Sequence, residues 1–231
     1  MKAGTVNLTD RVIVVAGAGG PTGHAVVRRL AAAGARVVAA DRHSQKWDDF
    51  SITPAVVDLL DFDDTRAWAT EVIEVHGRVD GLIHLVGGWR GGKSFRDTNL
   101  ADWAFLHDLL IRTLQHTTLA FYDALSISPY GRLAIVSQPA AQHPTQGNAA
   151  YAAAKAAAEA WTLALADAFK GGDSAATILV VKALLTDAMR ERKPEAAFTG
   201  YTHVDELADV MAGLWDAPAA ELNGKRLDLS A

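Results

Sequence analysis

Cysteine is missing altogether from the 231 residues, which excludes disulfides, thiolate metal ligands and cysteine nucleophiles. No apolar stretch approaches the roughly 18 residues a membrane span requires, because Arg, Asp or Gly interrupts each one. An excess of positive charge is lacking too. The formal net charge is -5, so bulk electrostatics does not favour nucleic acid. The polar stretch Met1–Asp10 has no signal-peptide apolar core. These absences leave the expectation of a soluble cytoplasmic protein with no membrane, nucleic-acid or metal partner. With 50% hydrophobic and 21% charged residues, the whole chain, 1–231, reads as one globular domain.

What is present is an alternation of short apolar runs and longer helical patterns. Val12–Ala16, Arg36–Ala40, Ala55–Val57, Leu82–Val86, Leu133–Val136 and Thr177–Val181 are rich in Val, Ile, Leu and Ala, and not alternating. Strands covered on both faces have that composition. Helices are expected over Thr22–Ala33, Asp63–His76, Ala101–Leu125, Ala149–Phe169 and Val204–Trp215, with a last strand at Arg226–Leu229. Gly34, Gly77, Gly131 and Gly171 fall where helices should stop. Such alternation implies an α/β fold: a parallel sheet with right-handed crossovers and helices on both faces.

Directly after the first strand, the chain reads Ala16-Gly17-Ala18-Gly19-Gly20-Pro21-Thr22-Gly23. Glycines at 17, 20 and 23 let a backbone approach a pyrophosphate closely, and the helix that follows offers free N–H groups and a positive dipole end. The alternative is a tight strand–helix turn without a ligand. Pro21 suits a first helical turn, where its missing N–H costs nothing. The next strand ends at Asp41, whose carboxylate can accept hydrogen bonds from both adenosine ribose hydroxyls and repel a 2′-phosphate. That favours NAD over NADP, although the neighbouring Arg42 could pair with a phosphate. Asp58, ending the third strand, could bond an adenine amino group or cap the following helix.

Farther on, Tyr151 and Lys155 lie four residues apart in the Ala-rich run 149–168. On a helix they share one face. A cation beside a phenol favours the phenolate and lowers a pKa that is otherwise about 10. A tyrosine tuned in that way can donate or accept a proton at a carbonyl or alcohol oxygen.

Together, the Gly17/Gly20/Gly23 turn, Asp41, Asp58, Tyr151-x-x-x-Lys155 and the late Asn223-Gly224-Lys225 turn resemble the short-chain dehydrogenase/reductase family, in order and over nearly the whole chain. The resemblance implies a Rossmann-type doubly wound parallel sheet, a nicotinamide coenzyme and interconversion of a carbonyl and a secondary alcohol. Tyr151 would then be the acid/base, with Lys155 holding the nicotinamide ribose and lowering the tyrosine pKa. The coenzyme would be held by Gly17, Gly20, Thr22 and Gly23 at the turn and by Asp41, Arg42, Asp58 and Leu59 around the adenosine. Gly87, Tyr151, Lys155 and Thr186 would contact its other end. NAD is the expected coenzyme, with NADP open. Homodimers or homotetramers packed through Ala101–Leu125 and Ala149–Phe169 are also implied.

The chain departs from the family pattern at several points. Asn-Asn-Ala-Gly becomes His84-Leu85-Val86-Gly87, and a Pro-Gly pair becomes Lys182-Ala183. The family's active serine, 13 residues before the tyrosine, is Gln138, and Ser137 beside it should point to the opposite face. A helix asparagine that supports a water near the lysine in family members aligns with Leu110. Gln138 still has an NH2 group able to donate to a substrate carbonyl. His84 reads as a packed histidine and His143 as a loop histidine. Two loops, 87–96 and 182–203, should flank the substrate. Their Arg90 and Arg190 suggest an anionic substrate, or simply soluble loops, and Trp89 and Phe95 suggest an apolar wall. The main rival to an oxidoreductase is a catalytically degenerate dinucleotide-binding member acting as a sensor or structural partner. Another reaction on the same fold, without a redox cofactor, is a third option.

Overall fold

A computed structural model describes residues 6–230. The start of the polar stretch read as lacking a leader, Met1–Thr5, lies outside them. In chain order the main elements are β1 (Val12–Ala16), α1 (Pro21–Ala32), β2 (Arg36–Asp41), β3 (Ile52–Val56), α2 (Phe62–His76) and β4 (Gly81–His84). Then follow α3 (Leu100–His107), α4 (Thr113–Ile127), β5 (Arg132–Ser137), α5 (Ala149–Ala168) and β6 (Ala175–Val180). The chain ends with β7 (Leu184–Leu185), α6 (Asp187–Arg192), β8 (Thr202–His203), α7 (Val204–Ala212), α8 (Ala219–Leu222) and β9 (Arg226–Asp228).

Seven parallel strands form one sheet in the order β3-β2-β1-β4-β5-β6-β9. Side chains alternate along β1 and split the core in two. Ile13 and Val15 pack with Val26 and Leu30 of α1 and Leu207 and Met211 of α7. Val14 and Ala16 pack on the other face with Trp68 of α2 and Phe121 and Leu125 of α4. The sheet is therefore doubly wound, with the Rossmann-type layering that the alternation implied. Strand order reverses at β1, which pairs with β2 on one side and β4 on the other, so Ala16 faces both Ala40 and His84. A crevice opens at such a switch point, beyond the carboxyl ends of the strands. Among the described residues, no helix is long and apolar enough to cross a membrane, and no cluster of His, Asp and Glu could hold a metal.

Several boundaries differ from the sequence pattern for identifiable reasons. β3 starts three residues earlier than the apolar run suggests, because it is an edge strand with Thr53, Pro54 and Val56 exposed. β4 stops at His84. Leu85 still donates its N–H to the Ala16 carbonyl at 2.8 Å, and the chain then leaves the sheet. The single helix expected over Ala101–Leu125 is α3 and α4 joined by a π-helical turn, Asp108–Arg112. Gly77 ends α2 in the left-handed conformation at φ 73°. Gly131 ends no helix. α4 is already over at Ile127, and a Cβ at Gly131 would lie 2.3 Å from the Leu125 carbonyl. It is a packing glycine.

Candidate active site

The crevice has two lobes that share Gly17, Gly20 and the segment Leu85–Trp89, with volumes of about 380 and 470 Å³. Their floor is the glycine turn, where each glycine does something different. Gly17 has φ 86°, and a Cβ there would sit 2.8 Å from the Val86 nitrogen. Gly23 brings α1 against the turn, so closely that a Cβ would lie 2.4 Å from the Gly17 carbonyl. At Gly20 a Cβ would meet nothing within 4 Å. Protein packing thus requires the first two glycines, and at Gly20 leaves space for something else. Gly20 is also the N-cap of α1, and no side chain caps that helix. Its first N–H groups can therefore receive an anion. This turn fits a dinucleotide pyrophosphate, with Thr22 on the wall of the smaller lobe.

Asp41 stands at the end of β2 beside the turn. Its Oδ2 accepts from the Gly19 N–H at 2.9 Å and its Oδ1 from the His43 N–H at 3.2 Å. Arg42, Asp58 and Leu59 line the same, larger lobe. The cap of α2 is Asp61, which accepts from the Asp64 N–H at 3.0 Å. Asp58 instead accepts from the Leu60 N–H at 3.0 Å within its own turn, so its capping alternative is excluded. Thr186 is not brought to the crevice. Its hydroxyl accepts from the Met189 N–H at the start of α6, and the last lining residue of that segment is Leu184.

The smaller lobe gathers Tyr151, Lys155, Gln138, Ser137 and His84. The Tyr151 ring packs against a buried cluster of Leu106, Leu110, Ile111 and Ala154, which the π-helical turn helps to assemble. This burial pushes the phenol up to about 12. The expected lowering by Lys155 is therefore not what the fold produces. Lys155 donates to the Val136 carbonyl at 2.7 Å, and its Nζ stands 5.8 Å from the centre of the Tyr151 ring. Burial brings the ammonium down to about 8, opposed by the charge of Glu159.

Gln138 has its carbonyl end occupied: Oε1 accepts from the Ala140 N–H at 2.7 Å. Its NH2 lies at the edge of the lobe, with only a 3.5 Å contact to the Lys182 carbonyl. A donor is thus presented where the family pattern has a hydroxyl. Ser137 does point away, donating to Glu159 at 2.5 Å.

His84 is fully enclosed, and burial followed by the Lys155 charge holds it down to about 3. Its Nε2 lies 3.3 Å from the Thr113 hydroxyl and its Nδ1 3.2 Å from the Thr117 hydroxyl. A neutral ring donates to one of these and accepts from the other, so the packed-histidine reading holds.

Of the flanking loops, the first is pinned down. Trp89 donates to the Asn148 side chain at 3.1 Å, and the Gly92 N–H bonds the Gly147 carbonyl at 2.8 Å. Arg90 pairs with Asp102 at 3.1 Å and lies 3.7 Å over the Phe105 ring, so its charge is already partnered. The second loop is structured. β7 and β8 pair at its base, α6 lies between them, and Lys182 donates to the Thr199 carbonyl at 3.0 Å. Arg190 is exposed on α6.

Sequence reasoning missed Glu159 and Arg226, which lie behind Lys155 and Gln138. Arg226 donates to both Glu159 oxygens, at 3.2 and 3.1 Å. Glu159 is one turn beyond Lys155 and could have been read from that spacing. Nothing local marks Arg226, which is 67 residues away.

Comparison with known proteins agrees with this architecture. Residues 11–196 match the family model described as short chain dehydrogenase. The acetoacetyl-CoA reductase of Allochromatium vinosum is 26% identical over 95% of this chain and 97% of its own. That of Cupriavidus necator is 30% identical over 69% of this chain and 68% of its own. A short chain oxidoreductase from Pseudomonas aeruginosa PAO1, described as containing an atypical catalytic center, superposes with a TM-score of 0.84 over 97% of each chain at 21% identity. Its likeness concerns the fold. With the family model matching residues 11–196, well over half of the chain, and the sheet agreeing with the solved fold, the chain belongs to the short-chain dehydrogenase family.

Proposed function

We propose that this family member is an NAD(H)-dependent reductase of a small carbonyl compound, with Tyr151 as proton donor, Gln138 polarising the substrate oxygen and Lys155 as the supporting cation. One observation carries the reading: Tyr151, Lys155 and the Gln138 amide line the same crevice as the open space at Gly20. A bound nicotinamide coenzyme supplies or removes the hydride. The residues that would hold it are Gly17, Gly20, Thr22 and Gly23 at the pyrophosphate, and Asp41 and Asp58 in the adenosine lobe. Asp41 supports NAD over NADP, since a carboxylate repels a 2′-phosphate.

Burial keeps the Tyr151 phenol protonated throughout the neutral range. It therefore carries the proton that a carbonyl oxygen gains on reduction, while burial also makes it a weaker acid than a free phenol, so the transfer needs the help of Lys155 and Gln138. The Gln138 NH2 can hydrogen-bond that oxygen as charge builds on it. Reduction is also the activity named for the two relatives above, which makes acetoacetyl-CoA the first probe. Apolar side chains on the outer face of α4 and α5, Leu119, Tyr122, Trp161 and Leu165 around a hollow of about 240 Å³, support pairing of subunits there.

The decisive experiment couples NADH binding, followed by tryptophan fluorescence, with turnover of acetoacetyl-CoA by wild type and Tyr151→Phe. Loss of about 100-fold or more in kcat is expected, in the range of general acid catalysis, at unchanged NADH affinity. An active Phe variant would refute the assignment. Tight NADH binding without turnover of a broad carbonyl panel would favour the degenerate binder, which Leu110 and the Lys155–Val136 bond support.

A further inference from the structure

Behind the Tyr151 lobe lies a charged pair that the reaction scheme does not use. Glu159 of α5 is 6% exposed, and Arg226 of β9 reaches it with Nε bridging both carboxylate oxygens. The second partner of Glu159 is the Ser137 hydroxyl at 2.5 Å, and Arg226 also donates to the Gln138 carbonyl at 3.4 Å. Val136, Ser137 and Gln138 are consecutive, and each is held by the same arrangement. Val136 accepts from Lys155, Ser137 donates to Glu159, and Gln138 accepts from Arg226. A buried ion pair is a weak way to gain stability, because desolvation offsets most of its Coulomb energy. Its firmer effect is to fix geometry. We propose that Glu159 and Arg226 act as a positioning pair, setting the end of β5 so that the Gln138 amide and the Lys155 ammonium meet the substrate lobe together. This role rests on the reductase reading above.

The groups facing Lys155 are His84 from β4, Tyr151 and Glu159 from α5, and Arg226 behind Glu159. Lys182 lines the same lobe but is held by Thr199. His84 and Tyr151 are held uncharged in the neutral range. The Glu159 carboxylate is the one neighbour shown to favour the charged lysine.

The test reads Lys155 directly, by NMR titration of the full chain with ¹³C-labelled lysine. Glu159→Gln keeps an acceptor for Ser137 and removes the charge. Glu159→Gln/Arg226→Met additionally leaves no lone buried cation, and decides the matter if the single variant does not fold. In the single variant the Lys155 midpoint should fall by about half a pH unit or more, as loss of a nearby opposite charge requires, and in the double variant by less, because a cation leaves with the carboxylate. With acetoacetyl-CoA and NADH, kcat should drop about 10- to 100-fold, the cost of misplacing a catalytic group, while KM for NADH stays level. The alkaline limb of kcat should move down with the lysine. An unmoved Lys155 midpoint, or an unmoved kcat with only a lower melting temperature, overturns the proposal. If wild type turns over no carbonyl substrate, the reductase reading fails, and the titration still reports on the pair.

Discussion

Around Gly20 and Asp41, the groups facing the crevice are backbone N–H groups and carboxylates in contact with solvent. Around Tyr151, the ionisable groups His84, Lys155 and Glu159 are buried, and three groups are displaced by burial: Tyr151 upward, Lys155 and His84 downward. Binding a charged, flexible dinucleotide calls for donors that stay hydrated until the ligand arrives. Handling a proton at a carbonyl calls for groups whose charge is decided in advance. The same fold supplies both because the switch point exposes the ends of β1 and β2 on one side, while the π-helical turn and α5 cover the end of β4 on the other.

The sharpest test of that contrast is acid sensitivity. His84 is neutral when folded, with a pKa near 3 in place of 6.5. Between those values the unfolded chain binds a proton that the folded chain refuses. Stability from this source is therefore complete above pH 6.5 and drains away as pH falls toward 3. A shift of that size corresponds to roughly 4–5 kcal/mol. Chemical denaturation at pH 7, 5.5 and 4 should show a shallower loss for His84→Gln than for wild type. Equal slopes would mean that the ring is hydrated and the lobe less closed than described.

A smaller effect is expected at Gln138. Removing its donor with Gln138→Leu should lower kcat by about 100-fold, the cost of losing one oxyanion-type donor, with NADH affinity unchanged. A matching drop in NADH affinity would mean that the two lobes are not separable.

The lobe around Gly20 was the more legible in the sequence. Its chemistry depends on glycine spacing and on one carboxylate at a strand end, both of which are local. In the other lobe, the Tyr151/Lys155 pair and Gln138 could be found by counting residues, but their electrostatics could not. The direction of the Tyr151 shift depends on Leu106, Leu110 and Ile111 from a different helix, and the lysine reaches a strand carbonyl that no spacing rule names. The local partners of Thr186 and Arg90 were not legible either: the Thr186 hydroxyl accepts from the Met189 N–H as the cap of α6, and Arg90 pairs with Asp102. In the fold, the buried strands were plain from composition, whereas β3 was partly hidden because an edge strand has polar and exposed residues.

The finest test separates glycines that the protein needs from one that its ligand needs. Gly17 holds φ 86° and has no room for a Cβ. Gly17→Ala should therefore cost about 1–2 kcal/mol from the backbone alone, plus the clash with Val86, and lower the melting temperature. Gly20 has an ordinary φ of -82° and open space around it. Gly20→Ala should melt like wild type, yet bind NADH about tenfold more weakly, because its methyl group would occupy the surface that the pyrophosphate approaches. Thermal melts and fluorescence titrations of the two variants should then give opposite patterns. If Gly20→Ala bound NADH normally, the open space there would not be where the phosphates lie. The glycine turn would then be a folding device alone, and the hydride chemistry proposed for Tyr151 would lose its partner.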